Sequence, residues 1–457
     1  MMHKPNFIVI MTDDQGYGDL SCMGCTDFKT PHFDRLAQNG VRFTSFYANA
    51  PVCSPTRASL MTGCYPRKTG VTGLCAGNRY AEGIRNDLPV LSEELKNEGY
   101  KTALFGKWHL GSLEECRPHR KGFDKWIGFL AGNVDFFSHV FYYGWTRKTL
   151  PIHDLWEDGV ETNKYIGKYF TEVITEKSVE FIRESNENDE PFFLFASYNA
   201  PHYPMQAPDK YLDRFKNLPE DRRIMAGMLS AVDDGVGAIM DELERLGITE
   251  NTCIVFQSDN GPERSKRCWL DGNEDYYYGG EAGKLRGHKA SLFEGGIRVP
   301  AIISWPGTIP CGVVSDEVAA TFDIFPSFLK AAGADISKYH IDGKDIIPHL
   351  SKGEKNPHDK IFFEMPDQSL ILDGAERALD HQYAVRKGDW KLVVNGTDVA
   401  GVDEEDRIFL SNIKEDMGER TNLKDRHPEI VQELMAEIEG WKEEIENYKT
   451  IDTYSML

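Results

Sequence analysis

No apolar run in the 457-residue sequence approaches the ~18–20 residues needed to cross a bilayer, so a membrane-embedded protein is not expected. Basic charge is also short: 52 Lys+Arg stand against 73 Asp+Glu, a formal net charge of −21 at pH 7. Nucleic acids and anionic membranes are held through clustered basic side chains, so neither is expected as a partner. The deficit is uneven, since residues 351–457 hold 14 basic and 25 acidic side chains. Cysteine is sparse: the nine are odd in number and scattered, which does not read as a disulfide framework, and reduced thiols are expected. The opening Met1-Met2-His3-Lys4-Pro5 leads straight into Phe7–Met11 and Asp13-Asp14, without the apolar stretch and small-residue site of a secretory leader, and a cytoplasmic protein is expected. Internal repeats and low-complexity segments are absent. What is present, 40% hydrophobic and 11% aromatic residues, suffices for a packed core.

Short apolar runs recur at Phe7–Met11, Lys101–Phe105, Phe192–Ser197, Thr252–Gln257 and Ala301–Trp305, between helical patterns. Such runs suit strands buried on both faces, and their alternation with helices suits an α/β domain with a mostly parallel central sheet. Helix signals flank Thr30-Pro31 to Asn39-Gly40, Ser92-Glu93 to Gly99, and Met225–Leu246 ahead of Gly247. Near residue 350 the pattern changes: Lys360–Glu364, Tyr383–Arg386, Trp390–Val394 and Arg407–Leu410 read as strands, and Pro428 to Tyr448 as a helix. The chain divides into a catalytic domain, 1–350, and a small C-terminal α+β subdomain, 351–457, with an antiparallel sheet and a terminal helix, expected to act as support.

Polar groups follow the strand-like runs: Asp13-Asp14, then Lys107 and His109, then His202, then Asp259-Asn260. In open α/β sheets ligands bind beyond the carboxyl ends of the strands, so these groups aim at one crevice. Cys22 and Cys25 form a lone Cys-x-x-Cys with no second pair, so a zinc or redox site is not read there.

The segment Cys53-Ser54-Pro55-Thr56-Arg57-Ala58-Ser59-Leu60-Met61-Thr62-Gly63 is the most specific in the chain. Ser54-Pro55 opens a helix, placing residue 53 at an N-terminus where free N–H groups favour an anion, with Arg57 one turn on along the same face. Taken alone, Cys53 reads equally as a buried thiol, and its three-residue spacing to Arg57 does not fit a phosphatase-type loop. With Thr12-Asp13-Asp14-Gln15-Gly16, Gly106-Lys107-Trp108-His109, Asn199-Ala200-Pro201-His202, Ser258-Asp259-Asn260-Gly261-Pro262 and Arg286-Gly287-His288-Lys289, the sequence resembles a type I sulfatase of the alkaline-phosphatase superfamily. It departs from the usual pattern at Cys64, where arginine is common, and at His288, where glycine is usual.

The resemblance implies a sulfuric ester hydrolase acting on a sulfated small molecule or glycan through a sulfated formylglycine intermediate. Cys53 would be oxidised to Cα-formylglycine by a maturation enzyme, for a cysteine in a cytoplasmic protein a radical-based anaerobic maturase of a bacterium. One Ca²⁺ would be held by Asp13, Asp14, residue 53, Asp259 and Asn260. Arg57 would steady the aldehyde hydrate, Lys107 and Lys289 bind sulfate oxygens, His109 take a hydrate proton, and His202 meet the leaving-group oxygen. The aromatic stretches 130–146 and 269–283 read as loops covering the core edge or as a sugar-facing wall. His139 and Arg79, the latter within 74–85, are the candidate sugar contacts. Sulfated amino sugars of glycosaminoglycans or mucins are expected as substrates, with aryl or steroid sulfates next. Two alternatives stand beside this reading: a phosphonate monoester hydrolase or phosphodiesterase of the same superfamily, and a catalytically silent carbohydrate-binding relative.

Overall fold

A computed structural model describes residues 4–75, 80–141, 151–264, 279–366, 368–372, 375–396 and 407–451, with the backbone alone for 368–372 and 375–379. The apolar runs form the centre of a ten-stranded sheet. Lys125–Phe129, Lys101–Lys107, Phe192–Ser197, Asn6–Thr12 and Thr252–Ser258 lie side by side in that order, all parallel. Successive residues of Asn6–Thr12 bury on opposite faces. Phe7, Val9 and Met11 join a cluster with Leu60, Leu95 and Phe328, while Ile8 and Ile10 join one with Phe33, Ile174 and Val236. Burial on both faces is why these strands read as unbroken apolar runs.

Ala301–Ser304, read with the parallel strands, instead runs antiparallel to Thr252–Ser258. The described residues that follow Ser258 and those that lead into Ala301 meet at the carboxyl end of the sheet. Lys289 N–H bonds Pro262 O at 3.0 Å and Gly261 N–H bonds Gly296 O at 2.9 Å, so the next strand enters from that end and runs back. Val41–Phe43 and Val313–Ser315 complete this edge, and the hairpin Trp156–Glu157 with Val160–Glu161 the other. The long helix begins at Glu220, five residues before the apolar pattern, because Pro219 precedes a first turn made wholly of charged residues, Glu220 to Arg223; it ends at Gly247 (φ 70°). Among the described residues no helix is long and apolar enough to cross a membrane.

Lys360–Met365, Gln382–Lys387, Trp390–Val394 and Ile408–Asn412 form a four-stranded antiparallel sheet. One face is covered by the helix Pro428–Ile445, where Trp441 stacks on Phe362 with ring centroids 5.0 Å apart. The other packs on the large domain, Phe363 lying 5.4 Å from Tyr47. The two parts share one apolar cluster, in which Tyr47, Leu292 and Phe322 meet Ile361, Ala384 and Leu410. A buried ionic network crosses the same boundary. Glu294 accepts from Lys391 (2.8 Å), Arg298 (2.9 Å) and Tyr47 Oη (2.8 Å), and Glu419 sits 3.1 Å from Lys391.

Candidate active site

The helix Cys53–Thr62 follows extended Val52 and ends at Gly63 (φ 71°), whose N–H caps Ser59 O. Pro55, in the first turn, lacks only an N–H that has no partner inside the helix. All ten residues of this helix are buried. Its N-terminus meets the carboxyl ends of the parallel strands, where register fixes what lies beside what. Thr12 pairs with Ser258, so Asp13-Asp14 and Asp259-Asn260 emerge together, and Ser197 pairs with Gly106 beside Lys107.

Ten side chains converge there, all buried. Cys53 Sγ lies 3.4 Å from Asp13 Oδ1 and 3.9 Å from Asp14 Oδ1. Lys107 Nζ donates to Asp13 Oδ2 at 2.7 Å, and Lys289 Nζ to Asp14 Oδ2 at 2.8 Å with Glu263 3.2 Å away. Arg57 spreads its fork over Asp259 Oδ2 (Nε 2.9 Å, Nη2 2.8 Å), Ser197 Oγ (2.7 Å) and Lys107 O (3.2 Å). His202 Nε2 is 3.4 Å from Asp14 Oδ2, and its Nδ1–H donates to Tyr203 O at 2.6 Å. Asp14 and His109 hold left-handed backbone (φ 62° and 56°), at a cost that only a rigid site absorbs.

His109 Nε2 lies 3.1 Å from Cys75 O. A carbonyl only accepts, so Nε2 carries the hydrogen and Nδ1 keeps its lone pair, buried and without a partner among the described residues. Burial, with Lys107 and Arg57 nearby, holds this imidazole well below its ordinary pKa and therefore neutral. Burial also pushes His202 down to about 3, with Asp14 pulling the other way. For Cys53, burial and then Asp259 push the thiol well above its ordinary range, so the unmodified side chain is no thiolate nucleophile.

The residues present fit a hard cation. Burial, reinforced by Asp259, raises Asp13, whereas at Asp14 the same burial is outweighed by Lys289 and His202. Carboxylates packed this closely out of water favour a dication between them. Asn260 donates Nδ2 to Asp14 Oδ1 at 2.7 Å and leaves its Oδ1 buried without a partner among the described residues, an oxygen open to a metal. Asp13, Asp14, Cys53 and His202 each offer a ligand atom within 4.8 Å of the others. Asp259, read from the sequence as a ligand, spends Oδ2 on Arg57 and Oδ1 on the Asp14 N–H (3.2 Å).

All ten core residues read from the sequence thus meet: Asp13, Asp14, Cys53, Arg57, Lys107, His109, His202, Asp259, Asn260 and Lys289. His139 lies among aromatic rings, fully buried, with its ring 5.3 Å from Phe170 and 6.5 Å from His153. The neighbouring Phe136 stacks on Tyr169, so the described part of this stretch seals the core edge. Arg79, 142–150 and 265–278, including Trp269 and Tyr276–Tyr278, lie outside the described residues.

Three contributors escaped sequence reasoning. Ser54 Oγ accepts the Cys75 N–H at 3.0 Å, anchoring the residue whose carbonyl, in the next peptide, bonds His109. Ser197 links Arg57 to Lys107 O, and Gly132 lies flat against the His109 ring. Of these only Ser54 carried a signal, its place inside the Cys-x-Pro-x-Arg segment.

The chain matches the family model Sulfatase over residues 5–334 and the model described as N-sulphoglucosamine sulphohydrolase, C-terminal, over 283–444. The N-acetylgalactosamine-6-sulfatase of Mus musculus is 35% identical over 409 residues, 86% of this chain and 75% of that protein. Arylsulfatase A of Homo sapiens is 31% identical over 400 residues, 85% of this chain and 74% of that protein. The crystal structure of Ps i-CgsB in complex with k-i-k-neocarrahexaose matches with a TM-score of 0.84 and 30% identity, covering 99% of this chain and 94% of that one. With the sulfatase family model spanning most of the chain, this protein belongs to the type I sulfatases of the alkaline-phosphatase superfamily, enzymes that hydrolyse sulfate esters.

Proposed function

We propose that this sulfatase removes sulfate from a sulfated sugar, with Cys53 converted to Cα-formylglycine beside a calcium ion bound by Asp13, Asp14, Asp259 and Asn260. The observation that supports this most is the position of residue 53, at a buried helix N-terminus within reach of Asp13 and Asp14 and surrounded by Arg57, Lys107 and Lys289. A hydrated aldehyde supplies two hydroxyls on one carbon, one to attack sulfur and one to lose its proton as sulfate leaves, a route closed to cysteine. A dication supplies charge withdrawal from sulfate and favours a deprotonated nucleophile.

The chain's own residues supply the rest. Among the described residues three buried carboxylates, with half-buried Glu263 beside Lys289, face three buried cations, so a bound dication would still leave the centre positive and ready for an anion. Lys107 and Lys289 would take sulfate oxygens, and Arg57, fixed by Asp259 and Ser197, would hold the hydrate in place. His109 presents Nδ1 as the base, its tautomer set by Cys75 O. His202, with Nδ1–H spent on Tyr203 O and Nε2 3.4 Å from Asp14 Oδ2, would meet the leaving-group oxygen through Nε2 once that nitrogen carries a proton.

Because Cys53–Thr62 is wholly buried, the maturation enzyme would meet this segment before the fold closes, and cytoplasmic maturation belongs to the proposal. The N-acetylgalactosamine-6-sulfatase likeness favours a sulfated amino sugar over an aryl sulfate. Sulfate release by protein co-expressed with a radical maturase, from 6-sulfated N-acetylgalactosamine, other defined sulfated sugars and an aryl sulfate, tests the reading. A sulfated sugar is expected to be preferred. Faster turnover of a phosphonate monoester, or a formylglycine-bearing protein inert toward every sulfate ester, would overturn it.

A further inference from the structure

The turn that carries Lys289 is held from three directions. Lys289 N–H bonds Pro262 O at 3.0 Å, tying it to the Asp259-Asn260 segment. Ala290 N–H bonds Pro51 O at 2.8 Å, tying it to the strand end that leads into Cys53. Ala290 itself sits in left-handed backbone (φ 70°), a conformation disfavoured for a residue with a Cβ and kept only where surrounding bonds impose it. The third bond comes from outside the catalytic domain: Gln382 Nε2 donates to Ala290 O at 3.2 Å. Gln382 is fully buried and opens the strand Gln382–Lys387, whose inward face also sends Arg386 to Tyr47 Oη.

We infer that Gln382 is a positioning residue for sulfate binding, through which the C-terminal sheet sets the Lys289 ammonium. With both peptide groups flanking the strained residue bonded, Lys289 Nζ is aimed at the site without being held by Gln382 directly. Loss of the amide donor takes from Ala290 O its bond to the C-terminal sheet and lets the turn relax toward ordinary backbone, which moves the residue next to it. The C-terminal subdomain, read from sequence as support, thereby takes part in substrate binding. This inference rests on Lys289 binding sulfate, as proposed above.

Gln382→Met keeps the volume and burial of the side chain and removes its amide. Its expected effect, on the formylglycine-bearing fraction, is a rise in KM and in the inhibition constant of inorganic sulfate of about tenfold, with kcat changed less. In a double-mutant cycle the same substitution adds nothing in a Lys289→Ala background, because its effect passes through that ammonium. Unchanged KM, or an effect of equal size with and without Lys289, would overturn the inference. Activity unimpaired in Lys289→Ala alone would instead defeat the proposed role of Lys289, which separates the two failures. Should Gln382→Met not fold, Gln382→Asn, which keeps an amide one methylene short of Ala290 O, takes its place in the same cycle, with the same rise in KM expected and the same results overturning the inference.

Discussion

Replacing Gly132 by alanine probes the general base without touching it. A Cβ at residue 132 would lie 2.8 Å from His109 Cε1 and 2.9 Å from Nε2. Carbon atoms settle at about 3.5–4.0 Å, so the ring must retreat by roughly 0.7 Å or tilt. Nε2 already stands 3.1 Å from Cys75 O. A retreat of that size along the bond takes it to roughly 3.8 Å, beyond hydrogen-bonding reach, and frees the tautomer that leaves Nδ1 as acceptor. Residue 132 is not in left-handed backbone, so alanine brings no strain of its own. Misplacement on this scale costs about 10- to 100-fold in rate. The fall is expected in kcat, with KM held, because Lys107, Lys289 and Arg57 are untouched. Sulfate release at saturating substrate, normalised to the formylglycine fraction measured by mass spectrometry, reads it. An unchanged kcat in fully converted Gly132→Ala protein would refute the assignment of His109.

Removing divalent ions with a chelator leaves Asp13, Asp14 and Asp259 without a dication; activity should fall and return with Ca²⁺, and calcium at a hundred times its Kd should add about 2.7 kcal/mol of stability. A protein indifferent to both treatments would contradict the metal site. Lys391→Met strips Glu294 and Glu419 of their shared cation while both remain buried, and urea unfolding should register a loss of about 3–5 kcal/mol, whereas a loss under 1 kcal/mol would mean the network is dispensable. Ser54→Ala removes the acceptor of the buried Cys75 N–H, with an expected loss of about 1–3 kcal/mol in denaturant titration and a lowered kcat in the converted fraction.

Elements whose signal is local were legible before any coordinates. The strand Phe192–Ser197 falls where its apolar run predicts, since burial on both faces leaves no polar alternation to blur it. The helix Cys53–Thr62 announces itself by Ser54-Pro55 and Gly63. The first turn of Glu220–Leu246 escaped because its charged residues carry no apolar period, and the direction of Ala301–Ser304 escaped because it depends on where the chain lies between Ser258 and Ala301. At the site, charged and nucleophilic residues were legible through their segments, but the groups that aim them were not. Gln382 is 92 residues from Ala290, Ser54 acts on a backbone N–H, and Gly132 acts by having no side chain. His139 read as a sugar contact because polarity among aromatics resembles a pocket wall, whereas here it is packed into the core edge.

The central claim is that sulfate hydrolysis depends on an aldehyde at residue 53 within this buried cluster. Its most direct test measures, in the same preparations, the formylglycine fraction of the Cys53 peptide and the rate of sulfate release, with the maturase co-expressed at graded levels. The account predicts a rate proportional to that fraction and no turnover from protein carrying only the thiol. Turnover by thiol-only protein, or its absence in fully converted protein across the sulfated sugars and aryl sulfate, would contradict it.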